Sequence, residues 1–395
     1  MKEGWTYKKL GEICRIERGG SPRPIKQFIT DEPNGLNWIK IGDTDPQGKY
    51  IYGTKEKIKP EGLRKSRWVE EDDFLLSNSM SFGRPYILKT NGCIHDGWLV
   101  LRDYQQSLYI DFFYYLLISQ NVQNQFKTKA QGSTVSNLNT DRVADVDIAF
   151  PSLSDQKRIV SRLDAAFSHI DELKANAEKQ LSEARTLFQK SLAKAMEPKE
   201  GWKVKKLKEI GITQTGTTPS KSDLSNYGDF IPFIRPSEID CDGCGSIDYN
   251  SEIKLSEKGL KNGRLFKKQS ILMVCIGATI GKVGYCTQNV SCNQQINVLT
   301  PIKDNYKFIY YAMRNKDFND KVIKGGTSAQ ATLPIINKGK WEAMTISLPS
   351  LSEQQRIVER LDALSAHIRE LEENQKKIIS ECDALKQALL RKVFE

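Results

Sequence analysis

The sequence predicts two α/β (α+β) domains in tandem, separated by two long antiparallel coiled-coil helices, the halves being related by an internal pseudo-twofold duplication. Three observations carry this. The stretch SLSDQKRIVSRLDAAFSHIDEL (Ser152–Leu173) recurs as SLSEQQRIVERLDALSAHIREL (Ser350–Leu371). The opening KEGWTYKKLGEI (Lys2–Ile13) recurs as KEGWKVKKLKEI (Lys199–Ile210). Between these anchors, matched segments keep an offset of about 198 residues, so insertions are small and the repeat unit is half the chain. The expected order is a first head over 1–150, a central helix over 151–197, a second head over 198–348 and a C-terminal helix over 349–395.

The helices follow from heptads. Ile159, Leu163, Ala166, Ile170, Leu173 and Ala177 recur at 4,3,4,3,4 spacing, as do Ile357, Leu361, Leu364, Ile368 and Leu371 in the second copy. The predicted seam is therefore Ile159, Leu163, Ile170, Leu173, Ile357, Leu361, Ile368 and Leu371. Pro151 and Pro349 sit just upstream, Ser154 and Ser352 are the candidate N-caps, and Ser352 with Gln355 has capping-box spacing. Some 40 residues at 1.5 Å each give helices of ~60 Å, whose apolar stripes must be covered; packing on each other makes the pair a spacer. His169 and His367 match across the copies and read as surface or seam residues kept by duplication, not as a metal pair.

Each head alternates short β-type runs with Gly and Pro: WIKIG, DFLLS, GWLVLR and VDIAF in the first, PFIR, ILMVC and INVLTPI in the second. Aromatic helices are predicted over Tyr109–Gln120 and Lys307–Lys316, with Phe112, Phe113, Tyr114 and Tyr115 facing the core rather than stacking on bases. Loops at equivalent places combine small, polar and basic residues suited to phosphate and groove contacts. GGSPRP offers Ser21 and Arg23, and TGTTPSKS offers Thr218 and Lys221. Lys40 and Arg235 follow the matched aromatics Trp38 and Phe233, while Arg84 and Lys282 follow Gly83 and Gly281. QGSTVSNLN and GGTSAQATL supply Ser133, Thr134, Thr327, Ser328 and Gln330. Turns routinely contain such residues, so recurrence at matching places is the signal.

A formal charge of +10 in 395 residues favours a polyanionic partner, nucleic acid first, although excess charge also serves solubility. No stretch has the character of a signal peptide or of a membrane span, and the expected location is the cytoplasm. The eight cysteines read as reduced thiols; the CDGC pair Cys241 and Cys244 lacks a second ligand pair for zinc. No dinucleotide fingerprint, phosphate loop, HExxH helix or nucleophile elbow occurs, nor the Asn-Pro-Pro-aromatic type of motif used by amino-methyltransferases. Metal ligands and catalytic residues are assigned to none.

With PSLSDQKRIVSRLD and PSLSEQQRIVERLD opening the helices, the chain resembles the specificity subunit of type I restriction-modification systems over essentially its full length. GDTDPQG, GATIGKV and GSTVSNLN agree with that family's heads, whereas SMSFGRP departs from its twin GATIGKV. The resemblance implies a non-catalytic reader of double-stranded DNA, each head a target recognition domain for one half of a bipartite asymmetric sequence, with the helices fixing the gap. It implies two copies of a methyltransferase subunit docked along the helices, and restriction subunits added to that core. No cofactor is expected in this chain; S-adenosylmethionine, ATP and Mg²⁺ are expected in the partners. Two alternatives stand beside this: a coiled-coil adaptor that reads no sequence, and the specificity subunit of a complex that only methylates.

Overall fold

A computed structural model describes residues 2–46, 48–78, 82–130, 138–240, 245, 247–249, 253–326 and 334–395. They divide into two compact units: Met1–Asn176 with Ile378–Glu395, and Ala177–Lys377. The two long helices, Leu153–Ala195 and Leu351–Phe394, each contribute one stretch to either unit. A unit is thus a head together with parts of both helices.

In the first unit, Thr6–Lys9 pairs antiparallel with Asp147–Phe150, bringing the start and end of the head together. One five-stranded sheet has the order Arg15–Arg18, Trp98–Arg102, Phe74–Ser77, Pro85–Leu88, Tyr50–Ile51. A second runs Ile29–Thr30, Glu56–Ile58, Leu36–Ile39, Gly92–Ile94, Arg67–Val69. The run FLLS is buried throughout because its strand is covered on both faces. Leu75 faces a core with Ile39, Val69, Ile94 and Trp98, whereas Phe74 and Leu76 face the aromatic helix Ile110–Ile118. Phe112 and Phe113 are fully buried there, as expected. The next helix, Gln120–Ala130, was not anticipated; it buries only Val122, Phe126 and Ala130.

The second unit repeats this plan, with fewer strands among the described residues. Lys203–Lys206 pairs with Thr345–Leu348. A four-stranded sheet orders Gly211–Thr215, Ile296–Pro301, Ile271–Val274, Val283–Tyr285, and a three-stranded one orders Lys254–Leu255, Tyr227–Ile234, Ser291–Cys292. The helices Tyr306–Arg314 and Lys316–Gly326 match the first unit's pair.

Within each unit the long helices pack antiparallel, as the number falls in one partner while it rises in the other. Lys174 meets Asp383 at 2.8 Å and Lys386 meets Asp171 in the first; Gln375 meets Gln180 at 2.9 Å and Arg185 meets Glu372 at 2.7 Å in the second. Leu163, Ile170, Leu361 and Ile368 are buried, as predicted, and Ile357 is buried beside Val358. Ile159 and Leu371 are half-buried against the head cores. Leu173 is a correction: it is 57% exposed. The seam's alternate positions fall one residue later than the stripe followed in the sequence, on Val160, Phe167 and Lys174 rather than Ile159, Ala166 and Leu173. The apolar stripe is wider than one partner helix can cover, and the Lys174 stem fills the seam while its ammonium reaches Asp383. Leu187, Ile378 and Leu385 are exposed for the same reason.

The repeated motif itself is explained by how it holds the heads. Each helix begins at its Leu, Leu153 or Leu351, so the capping serines are Ser152 and Ser350, whose hydroxyls accept from Asp155 and Glu353 amides at 3.3 Å; Ser154 and Ser352 lie inside the helix. The glutamine of the motif is buried. Gln156 accepts from the Tyr109 amide at 2.8 Å and donates to the Ser107 and Pro151 carbonyls at 2.8 and 2.9 Å. Gln354 accepts from the Asn305 amide at 2.9 Å and donates to the Pro349 carbonyl at 3.1 Å and Asp304 at 2.9 Å. Gln355 serves no capping box, accepting instead from the Asn305 side chain at 2.8 Å. The motif's aspartates, Asp164 and Asp362, accept from the hydroxyls of Tyr115 and Tyr311 on the aromatic helices. His169 and His367 are both exposed.

Candidate nucleic-acid interface

One hydrogen-bonded frame occurs in both heads. In the first, the amide of Gly19 donates to the Trp98 carbonyl at 2.9 Å and that of Gly20 to the Ile94 carbonyl at 3.1 Å. In the second, Gly216 donates to Ile296 and Thr217 to Cys292, each at 2.9 Å. Glycine is required by proximity: a Cβ on Gly19 would stand 2.2 Å from the His95 carbonyl oxygen, and one on Gly216 2.1 Å from that of Asn293. The frame holds the predicted hydroxyls against side chains from the crossing loop. Ser21 Oγ donates to Asp96 Oδ1 at 2.6 Å, and Thr218 Oγ1 donates to Gln294 Oε1.

Around this crossing in the first head, Arg23 reaches Asp96 at 3.2 Å while remaining 80% exposed. The Ser21 hydrogen bond leads the causes holding the Asp96 carboxyl below the usual carboxylate range. Ser21, Arg23 and Lys40 come together with Lys26, Trp38, Glu56 and His95 around a cleft of about 960 Å³. Lys40 pairs with Glu56 at 2.8 Å. Burial lowers the pKa of His95, against the opposing pull of Asp96, and the Ile41 amide donates to its Nε2 at 3.1 Å. Arg84 stands apart, on the turn between Phe74–Ser77 and Pro85–Leu88, with its guanidinium 5.5 Å from the Tyr86 ring.

In the second head Lys221 is exposed, and Arg235 pairs with Glu238, which also accepts from the Arg235 amide at 2.7 Å. Lys282 occupies the turn matching that of Arg84. Both turns need their preceding glycine, with φ of 79° at Gly83 and 93° at Gly281, and both are pinned from the unanticipated second helix. Gln123 donates to the Gly83 carbonyl at 2.7 Å and Asn319 to that of Gly281 at 2.8 Å.

Ser133, Thr134, Thr327, Ser328 and Gln330 lie outside the described residues, as do Cys241 and Cys244. Their flanks converge on the frame: the Leu138 amide donates to Asn78 and the Ile336 amide to Cys275, both at 2.9 Å, while the amides of Asn78 and Cys275 donate to Gly97 at 3.0 Å and Gln295 at 2.8 Å. Among the described residues, no group of three or more His, Cys, Asp or Glu is placed to hold a metal, and no helix is long and apolar enough to cross a membrane. The sequence reading missed Asp96 and Gln294. Their signal was the duplication itself: each stands two residues before an apolar strand start, Trp98 or Ile296, that the repeat aligns.

Two heads built on one frame and joined through matched long helices define a tandem repeat of a single domain type. The profile described as Type I restriction modification DNA specificity domain matches residues 2–183 and again 199–381. The chain belongs to this family and is a type I restriction-modification specificity subunit. It is 22% identical over 427 residues to the EcoBI specificity subunit of Escherichia coli, covering 100% of this chain and 86% of that one. It is 31% identical over 190 residues to the MjaIX specificity subunit of Methanocaldococcus jannaschii, covering 46% of this chain and 40% of that one, so it spans less than half that relative's length. Among solved structures, a chain from work on complex assembly and conformational transition of the type I R-M system aligns with TM-score 0.79 at 20% identity, covering 100% of this chain and 98% of that chain. The HsdS subunit from Thermoanaerobacter tengcongensis aligns with TM-score 0.58 at 20% identity, over 100% and 97%. These likenesses support the fold.

Proposed function

We propose that this chain directs a type I restriction-modification complex to a bipartite asymmetric site in double-stranded DNA, each head reading one half-site and the long helices setting the gap. The observation that carries this is the pair of identical backbone frames presenting different side chains, Ser21 with Asp96 and Thr218 with Gln294. Two equivalent mounts with unlike tips suit two unlike half-sites, as two identical tips suit a palindrome. The net charge of +10 supplies a sequence-independent attraction for the phosphate backbone. The chain is non-catalytic: methyl transfer and cleavage belong to partner subunits, which bind S-adenosylmethionine, ATP and Mg²⁺. Two methyltransferase subunits dock along the helices, where exposed apolar side chains, Leu173, Ile378 and Leu385 in the first unit and Leu187 in the second, are left uncovered. Restriction subunits join that core, and the complex works in the cytoplasm.

Mapping adenine methylation in a host that expresses the methyltransferase partner, with and without this chain, tests the proposal. A split motif appearing only with the chain is expected; its absence, with partner expression and assembly verified, rejects sequence reading. Deleting seven residues from each long helix preserves the seam phase and removes ~10 Å of rise. The gap should shorten with both half-sites unchanged, and an unaltered gap would reject the spacer role.

A further inference from the structure

We infer that Asp96 and Gln294 are specificity-determining residues of the two half-sites, Asp96 accepting a hydrogen bond from the amino group of a cytosine and Gln294 pairing with an adenine. This deepens the proposed reading of DNA by the heads and rests on it.

The two side chains stand at the same node. Each follows the strand that runs parallel to the Trp38 or Phe233 strand, Gly92–Ile94 or Ser291–Cys292, and each receives the hydroxyl of the crossing glycine loop. Backbone hydrogen bonds from both sides fix the node, while the side chain differs in kind between the heads. A rigid mount with an interchangeable tip is the arrangement a base-reading position needs.

The chemistry of each tip is distinct. Ionised aspartate only accepts, and its two oxygens offer about four acceptor sites. Ser21 and Arg23 occupy one on each oxygen, leaving room for a further donor at a side chain 41% exposed. Arg23 and Lys40 make this surface attractive to phosphates, and a carboxylate among them works against that attraction unless it receives a donor. In the major groove the amino group of cytosine supplies that donor to an acidic side chain, as adenine's amino group and N7 supply the two-point match for glutamine. Gln294 is exposed; with its oxygen engaged by Thr218, its amide group still donates, and the oxygen's second lone pair still accepts.

The test is a methylation map made with the assembled complex carrying Asp96→Asn, Asp96→Gln or Gln294→Glu. Asparagine keeps an acceptor for Ser21 but adds a donor, so a purely structural Asp96 tolerates it. The expected result is a changed or degenerate base at one position of one half-site, with discrimination there reduced roughly 5- to 150-fold and the other half-site and the gap unaltered. Asp96 variants and Gln294→Glu must affect opposite half-sites. An unchanged motif in all three overturns the inference. Should a variant abolish methylation, competition binding by the assembled complex with duplexes substituted one base at a time decides: altered preference at one position supports the assignment, and uniform weakening at every position overturns it. Failure of the underlying reading is distinguishable, because then the unaltered chain directs no motif at all.

Discussion

Replacing Gln156 with leucine isolates the contribution of the glutamine that ties the first long helix to its head. The two side chains are close in volume, so the loss is polar rather than a cavity. The Tyr109 amide is left without its 2.8 Å acceptor, at ~1–3 kcal/mol for a buried donor, and the carbonyls of Ser107 and Pro151 each lose a donor worth ~0.5–1.5 kcal/mol. About 3 kcal/mol in total, at ~2–4 °C per kcal/mol for a unit of this size, lowers the melting temperature of the first unit by ~6–12 °C. Tyr109 is the N-cap of Ile110–Ile118, so amide hydrogen exchange in that helix should accelerate by up to ~100-fold while exchange in Tyr306–Arg314 stays as before. Gln354→Leu should produce the reciprocal pattern. Differential scanning calorimetry with exchange mass spectrometry makes the measurement, and a melting shift under ~2 °C with unaltered exchange would refute the role assigned to the motif.

Gly19→Ala places a methyl 2.2 Å from the His95 carbonyl oxygen and should abolish recognition of one half-site, whereas Gly216→Ala, at 2.1 Å from Asn293, should abolish the other; methylation maps or half-site competition binding would show it. Cys14, Cys93, Cys275, Cys286, Cys292 and Cys382 are buried, and burial holds the thiols of Cys14, Cys93 and Cys275 up at about 12, 11 and 12, so native protein should give Ellman's reagent no more than the remaining two thiols per chain until it unfolds. Lys129 and Lys9 hold the Asp145 carboxyl down at about 2, below the ~3.9 of an unfolded chain. Because the folded value is the lower one, this contact stabilises fully above pH ~4 and fades as pH falls towards 2; Asp145→Asn should flatten that part of the acid-unfolding profile, read by circular dichroism.

The duplication, the long helices and the FLLS strand were legible because each leaves a period or a run in the sequence. The phase of the seam was only half legible: Leu163 and Ile170 were unambiguous, but Ile159 and Leu173 look more hydrophobic than the seam occupants Val160 and Lys174, and a lysine in a seam becomes intelligible only once Asp383 is placed opposite it. The helix Gln120–Ala130 was overlooked because three apolar residues in eleven make a faint stripe. Ser21 and Thr218 were found, as Gly-Ser and Gly-Thr loops announce themselves. Asp96 and Gln294 were not, since their partners lie 75 and 76 positions away and nothing local distinguishes them.

The contribution of both long helices to each unit also sets the order in which the heads can be completed during synthesis. The second unit is one continuous segment, Ala177–Lys377, and carries Leu192 and Met196 into its core ahead of its own strands. The first unit waits. Its core includes Leu390 and Phe394, the latter ring tilted against that of Phe112 with centroids 5.3 Å apart, and these emerge only after the whole second head has been made. At ~5–20 residues per second the ribosome takes roughly 10 to 45 s to cover that interval, during which the first-made head lacks part of its apolar floor. The later head therefore finishes folding first, and the earlier one depends on chaperones or on its own marginal stability until the last helix closes it.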